Sequence, residues 1–163
     1  MMISDPRLLA SARRLAAIHE AGHIVVGQHI GRPLHCRAPV GKIIRNDSGN
    51  PTERTWWGVT EFFNIERLNP LEMRTIAFAG AAATCRWNGG RLDIDLWTNR
   101  DFISPTDWEM AGCKPGEPDA LCRVAVMRLE RLLRGRLWGR VLSCARQLIV
   151  DSRESTPLNI ADS

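Results

Sequence analysis

Apolar positions recur every three to four residues from Leu8 through Ala12, Leu15, Ala16 and Val26 to Ile30, the spacing that places one face of a helix on a core. Pro6 after Asp5 suits a first helical turn, and Gly31 with Pro33 supplies a stop, so the pattern predicts a helix over 6–30. Between 35 and 63 the pattern changes to β-branched and aromatic residues, His35 to Arg45 and Thr55 to Phe63, separated by the polar run Asn46-Asp47-Ser48-Gly49-Asn50-Pro51. That reads as two strands around a long turn.

Asn69-Pro70 opens a second helix over 70–88, closed by Asn88-Gly89-Gly90. Its centre, Ala79-Gly80-Ala81-Ala82-Ala83, is small enough for another helix to approach closely. Ser104-Pro105-Thr106-Asp107 carries a cap, a first-turn proline and a first-turn acid, so a third helix should begin at about 105. Leucines interleaved with arginines then predict helical structure over 119–151, broken near Gly135 and Gly139. The expected fold class is mainly α (α+β), a single domain over 1–163 with a two- to three-stranded β element.

Composition narrows the class without choosing a function. The chain has 163 residues, 44% hydrophobic and 25% charged, which excludes a fibrous or wholly disordered protein and allows a core without staples. A net charge of +4 is too small to argue for nucleic acid. The arginines at 123, 128, 131, 134, 136, 140 and 146 read as a solvated helix face. No run reaches the ~18 apolar residues of a bilayer span, and no signal peptide is visible, so the expected location is cytoplasmic, away from membranes. Five widely spaced cysteines without a Cys-x-x-Cys pair suggest reduced thiols and neither a zinc ribbon nor a redox motif.

The chemistry lies within the first helix. His19-Glu20-Ala21-Gly22-His23 is the His-Glu-x-x-His pattern of zinc peptidases. Two histidines four apart stand one turn above each other and reach one Zn2+ ion, while Glu20 is rotated by about 100° towards the water on that ion. A catalytic zinc takes three protein ligands and keeps a fourth position open. His29, His35, Glu72, Asp93, Asp95, Asp101 and Asp107 are the candidates for the third, and spacing does not choose among them. His29 and His35 fit a surface or packing role better than ligation. Asp107 also fits a capping box with Ser104. No tyrosine occurs in the chain, so an oxyanion must rely on the metal, a backbone amide or a histidine.

The run Ala17 to Gly27 around this motif resembles the zinc helix of FtsH-type peptidases, the proteolytic domain of membrane-bound AAA proteases. In order, Trp57-Gly58-Val59-Thr60 is similar to that family's Leu-Gly-x-Thr strand, Ile76 to Ala83 to its helix with a Gly-x-Ala-Ala core, and Ser104 to Ala111 to the segment that carries its third ligand. The resemblance runs from about 15 to 111. It implies a zincin-like helical domain, Asp107 as third ligand beside His19 and His23, and Glu20 as the catalytic base. Apart from the resemblance, a peptide substrate is held extended by addition to a strand edge, and Trp57 to Phe62 is the candidate edge, with Gly58, Val59 and Thr60 as the binding residues.

Thr84 and Cys85 stand where the family carries a glutamate, so that supporting acid is missing. No Gly-x-x-x-x-Gly-Lys-[Ser/Thr] run occurs. The expected function is therefore a soluble, ATP-independent zinc metalloendopeptidase acting on flexible or unfolded polypeptides, with a separate ATPase or unfoldase as its conceivable partner. Two alternatives stand beside it: a regulatory protease of the ImmA/IrrE type, whose third ligand is a glutamate, and a non-catalytic metal-binding interaction module.

Overall fold

A computed structural model of the chain describes residues 6–46, 55–92, 96–97 and 103–154, with side-chain surroundings from residue 12 onward. Helix α1 spans Pro6–Gly31, and its apolar stripe buries Ala17, Ile18, Ala21, Val25, Val26 and Ile30. A 3-10 turn, Arg32–Leu34, follows, closed by His35 in the left-handed region (φ 56°). Strand β1 (Val40–Arg45) pairs antiparallel with β2 (Trp56–Glu61), from Val40 opposite Glu61 to Arg45 opposite Trp56. The expected strand beginning at 35 is thus shortened. Residues 32–39 contain Pro33 and Pro39, which lack the N–H a ladder needs, and the chain turns there before pairing. Asp5 and residues 47–51 of the expected turn lie outside the described residues.

Helix α2 (Pro70–Trp87) begins at a reciprocal capping box: Asn69 Oδ1 accepts from Glu72 N (2.8 Å) and Glu72 Oε1 accepts from Asn69 N (2.9 Å). It is buried almost all round from Thr75 to Cys85, as its small, uncharged composition requires. Gly22 of α1 lies against it so closely that a Cβ there would stand 2.5 Å from Ala79 O and 2.8 Å from Ala83 Cβ. Two backbones in such contact have room for almost no side chain between them, which fixes the relation of α1 to α2.

Three shorter or amphipathic helices surround this pair. Helix α3 (Pro105–Ala111) packs on α2, α4 (Ala120–Arg134) covers another side of α2, and α5 (Arg136–Glu154) lies along α1 and β1. The expected break in the last helical stretch occurs at Gly135 alone, and α5 continues through Gly139. Arg13 ties α5 to α1 by donating to Ile149 O (3.3 Å) and Ser152 Oγ, while its guanidinium lies 4.5 Å from the centre of the Trp56 ring. Among the described residues the molecule is mainly α with a two-stranded antiparallel sheet, as the pattern predicts. Among the described residues no helix is long and apolar enough to cross a membrane.

Candidate metal centre

His19 and His23 project from the middle of α1 towards α2, one turn apart, with their Nε2 atoms 3.2 Å from each other. The Nδ1 of His23 donates to the carbonyl of Ile76 (2.9 Å), which leaves its Nε2 lone pair free to face inward. Asp107 enters from the first turn of α3 and straddles the two rings, with Oδ1 3.3 Å from His23 Nε2 and Oδ2 3.3 Å from His19 Nε2. Ligand atoms held at ~2.0–2.1 Å by a tetrahedral zinc stand about 3.3–3.4 Å apart. The three side chains already have that spacing.

The competing capping role for Asp107 is only half present. Ser104 Oγ accepts from Asp107 N (3.1 Å), so the serine caps α3. The aspartate, 8% exposed as a residue, turns its side chain instead to the histidines. Trp108 holds it there by packing edge-on against Phe78, with ring centres 5.4 Å apart, and beside Trp97. Gly80 of α2 completes the cradle: a Cβ there would lie 2.5 Å from His23 Nε2 and 2.7 Å from His19 Nε2.

Electrostatics agree with a cation-binding centre. Burial pushes the pKa of His23 down, yet hydrogen bonding and charge from Asp107, with Glu20 nearby, outweigh it and raise the net value. Burial would raise the Asp107 carboxyl, but the two imidazoles hold it well below the usual carboxylate range. Asp107 Oδ2 is buried without a hydrogen bond of normal geometry, although His19 faces it. A buried carboxylate oxygen in that state is costly unless a cation compensates it. Among the described residues, two imidazole nitrogens and one carboxylate thus converge as a group able to hold a metal ion, a donor set that fits zinc.

Glu20 lies beside the cluster, 6% exposed. Thr60 on β2 donates a short hydrogen bond from Oγ1 to Glu20 Oε2. A Cβ at Gly58 would overlap Glu20 Cγ and Oε1, so this glycine is what lets the strand lie against the carboxylate. Of the three residues expected to hold a peptide, Gly58 and Thr60 thus face inward and shape the Glu20 environment, while Val59 is exposed on the outer side. Phe62 closes one flank of His23, ring edge to ring face at 5.8 Å between centres.

Three of the six remaining candidates are placed by the structure. Glu72 is engaged in the α2 capping box, and His29 and His35 are exposed at the end of α1 and beyond it. Asp93, Asp95 and Asp101 lie outside the described residues. Thr84 donates to the carbonyl of Gly80 (3.1 Å) within its own helix, and the support behind His23 comes from the Ile76 carbonyl. Sequence reasoning gave no role to Gly80, Ile76 or Trp108; the small-residue run around Gly80 was the one visible hint of close approach.

Compared with protein-family models and with curated proteins, the chain finds no match.

Proposed function

We propose that the chain is a zinc-dependent metalloendopeptidase that hydrolyses peptide bonds in flexible or unfolded polypeptides through an activated water. The observation that carries this reading is the convergence of His19, His23 and Asp107 on one point with zinc-like spacing, beside the buried carboxylate of Glu20. The ordered resemblance of residues 15–111 to FtsH-type peptidases supports the same reading.

His19, His23 and Asp107 would hold the ion. Bound zinc supplies an acidified water and a positive charge beside the scissile carbonyl. The chain's own residues perform the proton transfer. Glu20, with Thr60 donating to its Oε2, would accept a proton from the attacking water and return it to the departing amine. Glu20 is fixed on one side by α1 and on the other by Thr60, which keeps the acceptor from swinging out of reach.

Strand β2 pairs on one side only, with β1, among the described residues. Its other edge is where an extended peptide would add to the sheet, running past Glu20. An edge of this kind reads backbone rather than sequence, which favours flexible chains as substrates. Folded proteins would need prior unfolding by a separate unfoldase.

The test is cleavage of a mixture of peptides and an unfolded protein, read by mass spectrometry with metal content measured on the same samples. The parent should cut. Glu20→Gln should keep zinc and lose at least about 100-fold in rate, while Asp107→Ala should lose both zinc and cleavage. A zinc-loaded parent that cuts nothing, or a Glu20→Gln variant that cuts normally, refutes the peptidase reading.

A further inference from the structure

The fold brings together two thiols whose separation in sequence suggests no motif. Cys113 follows the C-terminal end of α3, where Gly112 turns the chain through the left-handed region (φ 75°) and Cys113 N donates to Trp108 O (3.1 Å). Cys122 lies in the first turn of α4, with its backbone N–H capped by Asp119 Oδ1 (2.9 Å). Their sulfurs are 3.6 Å apart. Cys113 is half-buried and Cys122 fully buried.

We propose that Cys113 and Cys122 form a peroxide-oxidisable dithiol, whose disulfide staples the third-ligand helix α3 to α4. Closure from 3.6 Å to a bond of ~2.05 Å asks for a sulfur movement of about 1.5 Å, within reach of χ1 adjustment. The half-buried sulfur is the one a small oxidant meets first. Asp119, which holds Arg74, lies in one cluster with both sulfurs, their atoms within 4.8 Å of one another. Burial and the Asp119 carboxylate push the Cys122 thiol up to about 12, which suits it to the second step rather than the first.

The reaction balances with hydrogen peroxide as the oxidant. The Cys113 thiolate attacks one peroxide oxygen, the O–O bond breaks, and a sulfenic acid and hydroxide form. The Cys122 sulfur then attacks the sulfenic sulfur, the S–O bond breaks, and the departing hydroxide takes the Cys122 proton as water. Two thiols and one peroxide become one disulfide and two waters.

A metal is the other ligand that this cluster of Cys113, Asp119 and Cys122 brings to mind. Asp119, however, already accepts from Arg74 Nε through Oδ1 (3.0 Å) and Oδ2 (3.1 Å) and from Arg74 Nη2 (2.5 Å). A guanidinium occupies the place a cation would take.

The experiment treats the full chain with a few equivalents of hydrogen peroxide, blocks free thiols, digests, and maps cross-links by mass spectrometry. A Cys113–Cys122 peptide pair should dominate, revert with dithiothreitol, and be absent in Cys113→Ser, where Cys122 stays reduced. Cys113 passing to sulfinic acid while Cys122 remains a free thiol overturns the proposal, as does protection of both thiols by added zinc in an Asp107→Ala background. The cross-link map needs no peptidase activity, so its outcome is separate from that of the zinc reading. On that reading, the stapled protein should also release zinc to a chelator several-fold more slowly than the reduced one. Equal release rates overturn the link between the staple and Asp107.

Discussion

Gly80→Ala separates the metal centre from ordinary helix energetics, because the two give opposite signs. In the interior of a helix, alanine is favoured over glycine by about 1 kcal/mol, so a bland position in α2 should become more stable. At Gly80 the added methyl would meet His23 Nε2 at 2.5 Å and His19 Nε2 at 2.7 Å. A comfortable separation is about 3.5 Å, so the imidazoles must retreat by roughly 0.8–1 Å. Zinc–ligand distances tolerate only about ±0.2 Å. At least one histidine therefore leaves the ion, and zinc affinity should fall by about 100-fold or more, since loss of mere outer supports already costs ~10–100-fold. The metal-free protein should lose about 0–2 kcal/mol, the overpacking cost of ~1–3 kcal/mol less the propensity gain. Chelator competition measures the first quantity and thermal melting of the metal-free protein the second. Gly22→Ala is the control, since its Cβ meets Ala79 O and Ala83 Cβ rather than a ligand; it should destabilise folding with a smaller effect on zinc affinity. A Gly80→Ala protein that melts higher and binds zinc within about threefold of the parent would refute the placement of the two histidines against α2.

Other substitutions probe the surroundings. Thr60→Val should keep zinc and reduce kcat about tenfold with little change in KM, because it frees Glu20 from its hydrogen bond; an unchanged kcat would show that the bond does not orient the base. Removing zinc with a chelator should lower Tm, since Asp107 Oδ2 and both Nε2 atoms are left facing each other, and calorimetry with and without zinc reads this directly. Asp119→Ala should cost about 1 kcal/mol through the lost α4 cap and somewhat more through Arg74. Because hydrogen bonds from Arg74 hold the Asp119 carboxyl well below its ordinary value, the stability it adds is present above the unfolded value and lost as pH falls through the folded one. The gap between parent and Asp119→Asn in urea melts should accordingly shrink below about pH 4. Burial pushes the Cys144 thiol up to about 11, so its alkylation at pH ~8 should be slow and accelerate about tenfold per pH unit up to about pH 10; a flat profile would contradict that burial.

The tryptophans show how packing gives a purpose to residues that the sequence left unexplained. Trp108 anchors the helix that delivers Asp107. Trp56 and Trp138 take arginines over their faces, Arg13 at 4.5 Å and Arg86 at 4.6 Å from the ring centres. These contacts lay each guanidinium over an aromatic face where α1 meets β2 and where α2 meets α5, and nothing in the local pattern around each tryptophan announces them.

What the chain determined by itself is the part governed by local periodicity. A 3.6-residue turn places His19 over His23 and sends Glu20 to their side, and caps and prolines at 6, 70 and 105 set where helices begin. Spacing left open which acid faces the histidines and only the resemblance pointed to Asp107; tertiary packing put it there by laying α3 on α2, while Glu72 is engaged in its own capping box. The same packing set Thr60 against Glu20, left no room for a side chain at Gly80, and brought Cys113 to Cys122. Helical spacing is a property of neighbours along the chain, whereas each of these pairings depends on how far two helices can approach before their side chains collide.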